Sequence, residues 1–461
     1  MTALFAETAL LPIGWASRVR IDLDTAGNIA AVEAGVEPGG AERCAGPLLP
    51  GMPNLHSHAF QRAFAGLTER SGTGGDDFWS WRQIMYRCLA VLEPEDVRSI
   101  AAQLYVEMLK AGYTAVGEFH YIHNGRDGAP YADRLAMSTA VVDAAADAGI
   151  GLTLLPVLYR ANGFGGAPPS LGQRRFIVEV DGLLEMIAAL VGSRNGNPDL
   201  RIGIAPHSLR AVPPEDFSRA TEGMRRLDPT APIHLHIAEQ TAEVEQCIAW
   251  SGQRPVAWLL EHAAVDAAWC LVHATHMETA EAKAAAATGA VVGICPSTEG
   301  NLGDGFFPME PYREAGGRWG IGSDSHVSVN PVEELRWLDY GERLRRQRRA
   351  LASESPEGSA GTALWRKALE GGTQALARPI GAIEAGRRAD FLVLDADAPA
   401  LYGRGGDLLM DSLIFASAPP VVRDVMVGGR WVVEECRHRA EGRILAAFRH
   451  TMDRLAAALT S

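Results

Sequence analysis

The sequence predicts an α/β protein: a (β/α)8 TIM barrel carrying a small β-sandwich built from the N- and C-terminal segments. Three observations carry that reading. Between about residue 50 and residue 330, short apolar runs alternate with helix-length amphipathic segments. The flanks instead alternate apolar and polar residues between glycine turns. Most of the thirteen histidines fall at the C-terminal ends of the predicted strands. Continuous apolar strands separated by helices imply a parallel sheet covered on both faces.

The runs are MPNLHSHAF (52–60), TAVGEFHY (114–121), GLTLLPVLY (151–159), LRIGIAPHS (200–208), IHLHIAE (233–239), WCLVHATH (269–276), AVVGICPS (290–297) and RWGIGSDSH (318–326). Eight such units fit a closed barrel. An open doubly wound sheet competes, but no GxGxxG turn follows the first strand. The intervening segments PEDVRSIAAQLYVEMLKAG, YADRLAMSTAVVDAAADAG, PEDFSRATEGMRRL and METAEAKAAAATGA read as helices, several of them opening on Pro-Glu or Met-Glu and closing near Gly. RVRIDLDTAGNIAAVEAG, GAIEAGRRADFLVLDAD and VVRDVMVGGRWVVE read as strands and turns of an antiparallel unit. RILAAFRHTMDRLAAAL is an amphipathic helix. The expected division is a discontinuous sandwich over 1–50 and 380–440, a barrel over 51–379, and a C-terminal helix over 441–461.

Composition narrows the function. A chain of 461 residues, 47% apolar and without an uncharged apolar stretch of about 18 residues, reads as globular with no membrane span. The N-terminus lacks the basic opening of a secretion signal. A net charge of −13 disfavours a nucleic-acid partner, and RLRRQRR (343–349) is expected to coat a solvated helix face. Six cysteines without CxxC pairing suggest reduced thiols in a cytoplasmic protein.

In a barrel, side chains from the C-terminal strand ends meet one another. Those ends carry His56 and His58, His120 and Tyr121, His207, then His234, His236 and Glu239, His273 and His276, and Asp324 with His326. Residues i and i+2 of a strand share a face, so the HxH imidazoles can reach one point. Three neutral imidazoles and a carboxylate suit zinc or ferrous iron with one position open for water. His56, His58, His236 and Asp324 are the natural set. His234 is the rival third ligand; His236 is preferred because HxxE then places Glu239 just past the strand, as a proton carrier. Lysines stand only at 110, 283 and 367, so strands 3 to 5 cannot supply a carboxylated lysine to bridge two ions. One metal is expected.

LPGMPNLHSHAFQRAFAG, HLHIAEQ, LVHATH, CPSTEGNLGDG and GIGSDSH, in this order and spacing, resemble the aminohydrolase branch of the amidohydrolase superfamily over essentially the whole chain. Within it, HAFQRAF, WSWRQIMY, GEFHYIH, APHSLRAV and TEGNLGDG are similar to the formimidoylglutamate deiminases of histidine degradation. The resemblance implies a homodimeric zinc enzyme that hydrolyses N-formimino-L-glutamate to N-formyl-L-glutamate and ammonia. It implies that His56, His58, His236 and Asp324 hold one zinc, with ferrous iron as the other ion such ligands suit. It further implies that Glu239, His273 and Asp324 act on the water and the tetrahedral centre, and that Gln61, Arg82, Tyr121, His207 and Arg210 recognise the substrate.

The chemistry agrees. The substrate carries two carboxylates, which arginine forks bind bidentately, and Arg82 and Arg210 are available, one for each. In an acidic protein, two arginines at the mouth make a local positive field. Trp79 and Trp81 flank Arg82 and either exclude water or pack the loop. A sister activity would keep the site and accept a purine or pyrimidine ring, as guanine and thioadenosine deaminases do. A non-catalytic barrel-fold binding protein would be expected to lack some ligands, and the full set is present.

Overall fold

The computed structural model describes residues 2–69, 78–193, 196–355, 357–418 and 420–460, with the side chains of 78–80 and 457–460 left out. Trp79 therefore lies outside the described side chains.

Eight barrel strands occupy Met52–Ser57, Tyr113–His120, Gly151–Leu158, a fourth split into Leu200–Ile202 and Ala205–Pro206, Ile233–Ile237, Trp269–His273, Val291–Ile294 and Arg318–Ile321. Every neighbouring pair is parallel. Nearly every strand residue is buried, because helices cover the outside and side chains fill the inside. The first four strands and the last four form two hydrogen-bonded sheets, joined by single bridges: Ile204 to Ile233 and Ser208 to His236 at one seam, Ser57 to Asp324 at the other.

The observed strands end earlier than the apolar runs. Ala238, His273, Ala274, Asp324 and His326 all have positive φ, from +44° to +67°. The chain leaves extended geometry just where the polar side chains stand, a costly conformation for residues with a Cβ that clusters at functional sites. The first strand also shifts register between Asn54 and Ser57, beside its two histidines. PSTEGNL is a short helix (Pro296–Leu302), and FWSWRQIMYRCL forms the helix Phe78–Leu89. PEDVRSIAAQLYVEMLKA and PEDFSRATEGMRRL are helical as expected, whereas the helix expected from Tyr131 begins at Ala136.

Both chain ends build one continuous sheet of nine strands, with Phe391–Leu394 paired antiparallel to Leu48–Pro50. Its apolar residues face two cores. Leu4, Ala6, Leu48, Phe391, Val393 and Met426 pack with Val19, Ile21 and Leu23 into a core of their own, while Leu10, Leu49, Leu392, Val425 and Val427 join the main core. The terminal helix Glu441–Thr460 packs on Pro94–Ala111 and is tied to it by Lys110–Glu441 at 2.9 Å and by an Arg454–Asp96 pair. Three of the five arginines of RLRRQRR form ion pairs: Arg343 with Asp339 and Arg345 with Glu342 on their own helix, Pro331–Arg346, and Arg346 with Glu342 and with Glu310 of the short helix Met309–Glu314. Among the described residues no helix is long and apolar enough to cross a membrane.

The helix Ala360–Leu376 lies against strands 8 and 1 with almost nothing between the backbones. A Cβ on Gly371 would stand 1.9 Å from the carbonyl oxygen of Trp319, and one on Gly320 would stand 2.7 Å from the Gly372 nitrogen. Beyond Gly371 and Gly372 the chain turns in, and Ala375, Leu376 and Ile380 pack with Leu55, Ala115, Cys270 and Val272 to close the barrel floor. Gly371→Ala should therefore destabilise the protein by roughly 1–3 kcal/mol, the usual cost of overpacking. The measurement is a urea midpoint, which should fall with an unchanged m-value.

Candidate active site

Strand 1 supplies His56 and the residue just past its end, His58; strand 5 supplies His236, strand 6 His273, and the turn after strand 8 Asp324. Nε2 of His56 lies 3.1 Å from Nε2 of His58 and 3.0 Å from Nε2 of His236. Oδ1 of Asp324 stands 3.6 Å from the first and 3.4 Å from the second.

The protons make this arrangement informative. His58 Nδ1 donates to the carbonyl of Phe119 at 3.0 Å, and His236 Nδ1 donates to that of His207 at 3.1 Å. A carbonyl oxygen only accepts, so in the neutral rings each Nδ1 holds the proton and each Nε2 presents a lone pair. His56 can offer at most one proton to two such lone pairs, and its buried Nδ1 has no partner among the described residues. Burial first, and neighbouring imidazoles second, hold His56 and His236 far below the usual histidine range; burial pushes His58 down to about 3. Neutral rings with converging lone pairs and a carboxylate fit a divalent cation. Ligands about 2.0–2.1 Å from a tetrahedral zinc stand about 3.4 Å from one another.

His234, the rival ligand, is spoken for. Its Nε2 meets the carbonyl of Ala375 in the barrel floor at 2.8 Å, one step below His236. His120 and His123 form an edge contact with each other, His326 bonds Ser57 and Ser323, and His276 lies beside Gly305; none of the four lines the cavity.

Asp324 faces two ways. Oδ1 points to the imidazole cradle and Oδ2 stands 3.7 Å from His273 Nε2, which is also 3.7 Å from Glu239 Oε1. Burial opposes a charge on His273, but Glu239, Glu299 and Asp324 outweigh it and push the ring up to about 10. Burial pushes Asp324 up to about 7, and a bound cation would reverse that.

A cavity of about 560 Å³, open to solvent, reaches this centre and is lined by every expected substrate residue: Gln61, Arg82, Tyr121, His207 and Arg210. Gln61 Nε2 donates to the Tyr121 hydroxyl at 3.1 Å, and an Arg82 Nη donates to that of Tyr159 at 2.9 Å. Burial first, and then the Arg210 and Arg82 guanidiniums, hold the His207 imidazole well below the usual histidine range, and all three side chains line the cavity. Trp81 also lines the cavity.

Two carboxylates that the sequence reading did not single out brace the centre. Glu118, pushed up to about 7 by burial, accepts from Ser57 Oγ at 2.6 Å and from the Ala59 amide at 2.7 Å, bracketing His58. Glu299 accepts from the Cys295 amide at 2.9 Å and meets His273 Nδ1 at 3.2 Å. A glutamate inside an otherwise apolar strand is the one sequence signal that marks Glu118.

A model of the amidohydrolase family matches residues 48–432. The chain belongs to the amidohydrolase family. A second model, described as the N-terminal domain of formimidoylglutamate deiminase HutF, matches residues 1–46. Among similar amidohydrolases, the formimidoylglutamate deiminase of Pseudomonas aeruginosa is 52% identical over 97% of this chain and 98% of its own. A 5-methylthioadenosine/S-adenosylhomocysteine deaminase of Natronomonas pharaonis is 28% identical over 86% of this chain and 83% of its own. The crystal structure of an amidohydrolase from Brucella melitensis superposes with a TM-score of 0.94 at 46% identity, covering 99% of this chain and 100% of that one. An adenosine deaminase from Xanthomonas campestris with bound zinc shares the fold, with a TM-score of 0.82 at 22% identity over 99% and 98%.

The two histidines of strand 5 differ in what their Nε2 atoms meet, the His56 ring for His236 and the Ala375 carbonyl for His234. His236→Asn should lower the metal content of the purified protein well below one ion per chain, whereas His234→Asn should leave it near the wild-type value; elemental analysis reads both.

Proposed function

We propose that the protein hydrolyses N-formimino-L-glutamate to N-formyl-L-glutamate and ammonia, with zinc held by His56, His58, His236 and Asp324. One observation carries the reading: a single cavity joins a cradle of bare imidazole nitrogens to a wall with two guanidiniums. The first suits hydrolysis at a carbon–nitrogen bond, the second a dicarboxylate. Identity of 52% over 97% of the chain to a formimidoylglutamate deiminase supports that substrate. The zinc in the Xanthomonas campestris neighbour supports the choice of ion. Six free cysteines suit a reducing compartment such as the cytoplasm.

When bound, a divalent cation in the cradle lowers the pKa of water to about 7. The remaining work belongs to side chains. Oδ2 of Asp324, turned away from the cradle, takes the proton released by the attacking water. Glu239 carries a proton to the departing nitrogen, so that ammonia leaves as a neutral molecule. His273, held between Glu239 and Asp324, donates to the charge that develops on the tetrahedral centre. Gln61, Tyr121 and His207 are neutral donors and acceptors that orient the formimino group, while Arg82 and Arg210 hold the carboxylates.

Ammonia release from formiminoglutamate, guanine and adenosine should show turnover of the first only; turnover of a purine without the first would replace this substrate assignment. Glu239→Gln should keep its metal and lose roughly 100- to 10,000-fold in kcat, as expected for a lost acid–base group. Steady-state kinetics paired with metal analysis checks both halves.

A further inference from the structure

Tyr159 directly follows the third barrel strand, which ends at Leu158, and lines the cavity, yet it is only 2% exposed. Its hydroxyl oxygen accepts two hydrogen bonds, from an Arg82 Nη at 2.9 Å and from Gln173 Nε2 at 2.8 Å. The orientation of Gln173 is fixed by its other contacts: Oε1 accepts from the Ser170 amide at 2.7 Å, and Nε2 also donates to Asn162 Oδ1 at 2.7 Å. Both donors to Tyr159 are therefore true N–H groups.

A phenol oxygen has two lone pairs and one hydrogen. Here both lone pairs are filled, and among the described residues no acceptor receives the hydrogen. It has to point elsewhere, and the cavity is what Tyr159 lines. Arg210 lies close enough to interact electrostatically with Tyr159, so the hydroxyl stands on the same wall as the two guanidiniums. Among the described residues the Arg210 side chain makes no hydrogen bond or ion pair of its own.

We infer that Tyr159 is a further specificity-determining residue, donating its hydroxyl hydrogen to one carboxylate of the substrate beside Arg82, with Gln173 as the positioning residue that forces the hydroxyl to donate. The inference rests on the dicarboxylate substrate proposed above and adds a neutral donor to its arginines. A hydroxyl that can only donate accepts a carboxylate oxygen and rejects an amide N–H or an apolar group in its place. Such selectivity is strong because a mismatched group leaves a buried polar hydrogen unpaired.

The test compares wild type with Tyr159→Phe on three substrates: formiminoglutamate, the formimino derivative of 4-aminobutyrate, which lacks the α-carboxylate, and that of 2-aminobutyrate, which lacks the side-chain carboxylate. Tyr159→Phe should raise KM for formiminoglutamate about 10- to 100-fold, the range for a hydrogen bond to a charged group, with kcat within about twofold. The penalty should disappear on the one analogue that lacks the contacted carboxylate and persist on the other. Wild-type turnover of formiminoglutamate with a Tyr159→Phe penalty equal on all three substrates, or absent from all three, overturns the role of Tyr159 alone. Absence of wild-type turnover overturns the substrate assignment and this inference with it.

Discussion

The backbone amide of Asp324 donates to the carbonyl of His56 at 3.0 Å, and the amide of His58 donates to that of Asp324 at 3.3 Å. Across the barrel, the amide of His236 donates to His207 at 3.0 Å. These bonds lie at the two seams where the sheets of strands 1–4 and 5–8 join. The residues that close the barrel are those whose side chains form the cation cradle and the cavity wall. Catalytic geometry here depends on closure: if either seam slips by one residue, the side chains of that strand turn to the opposite face. The bracing by Glu118, Ser57, Ser323 and Asn54 reads as reinforcement of the 8–1 seam, since Asn54 and Ser323 exchange bonds of 2.6 and 3.1 Å across 269 residues.

Charge balance explains why so many ionisable groups tolerate burial together. The imidazoles of the cradle are neutral, and each spare ring proton of His58 and His236 goes to a backbone carbonyl. The carboxylates of Glu239, Glu299 and Asp324 surround a single imidazole, His273, and their combined field keeps it cationic against desolvation. A divalent cation held by His56, His58, His236 and Asp324 would add further positive charge. Buried carboxylates without such partners would protonate or cost several kcal/mol.

Much of this was legible in the sequence because strand ends in a barrel are forced to one face. His56, His58, His236, His273 and Asp324 needed only the alternation of apolar runs and helices to be placed together. The rest was hidden for physical reasons. Residue type does not show where an extended chain turns left-handed, so the apolar runs of strands 6 and 8 read on to His276 and His326 although the strands end at His273 and Ile321. Glu118 and Glu299 act through tertiary contacts that no spacing encodes. The HxxE spacing already favoured His236, but the partner that holds His234 elsewhere, the carbonyl of Ala375, lies more than a hundred residues away in the chain. The sandwich was visible as alternation, but not that its two ends belong to one continuous sheet, because strand order is set by long-range pairing.

The carbonyls that close the barrel floor have a consequence for biosynthesis. Ala375 and Leu376 plug the lumen and satisfy His234 and Thr153, while Phe391–Leu394 zips onto Leu48–Pro50. A nascent chain that has extruded all eight barrel strands still lacks its stopper and half of the sheet that clasps its N-terminus. Final consolidation must then await the last quarter of translation, leaving the earlier strands exposed to chaperones in the interval.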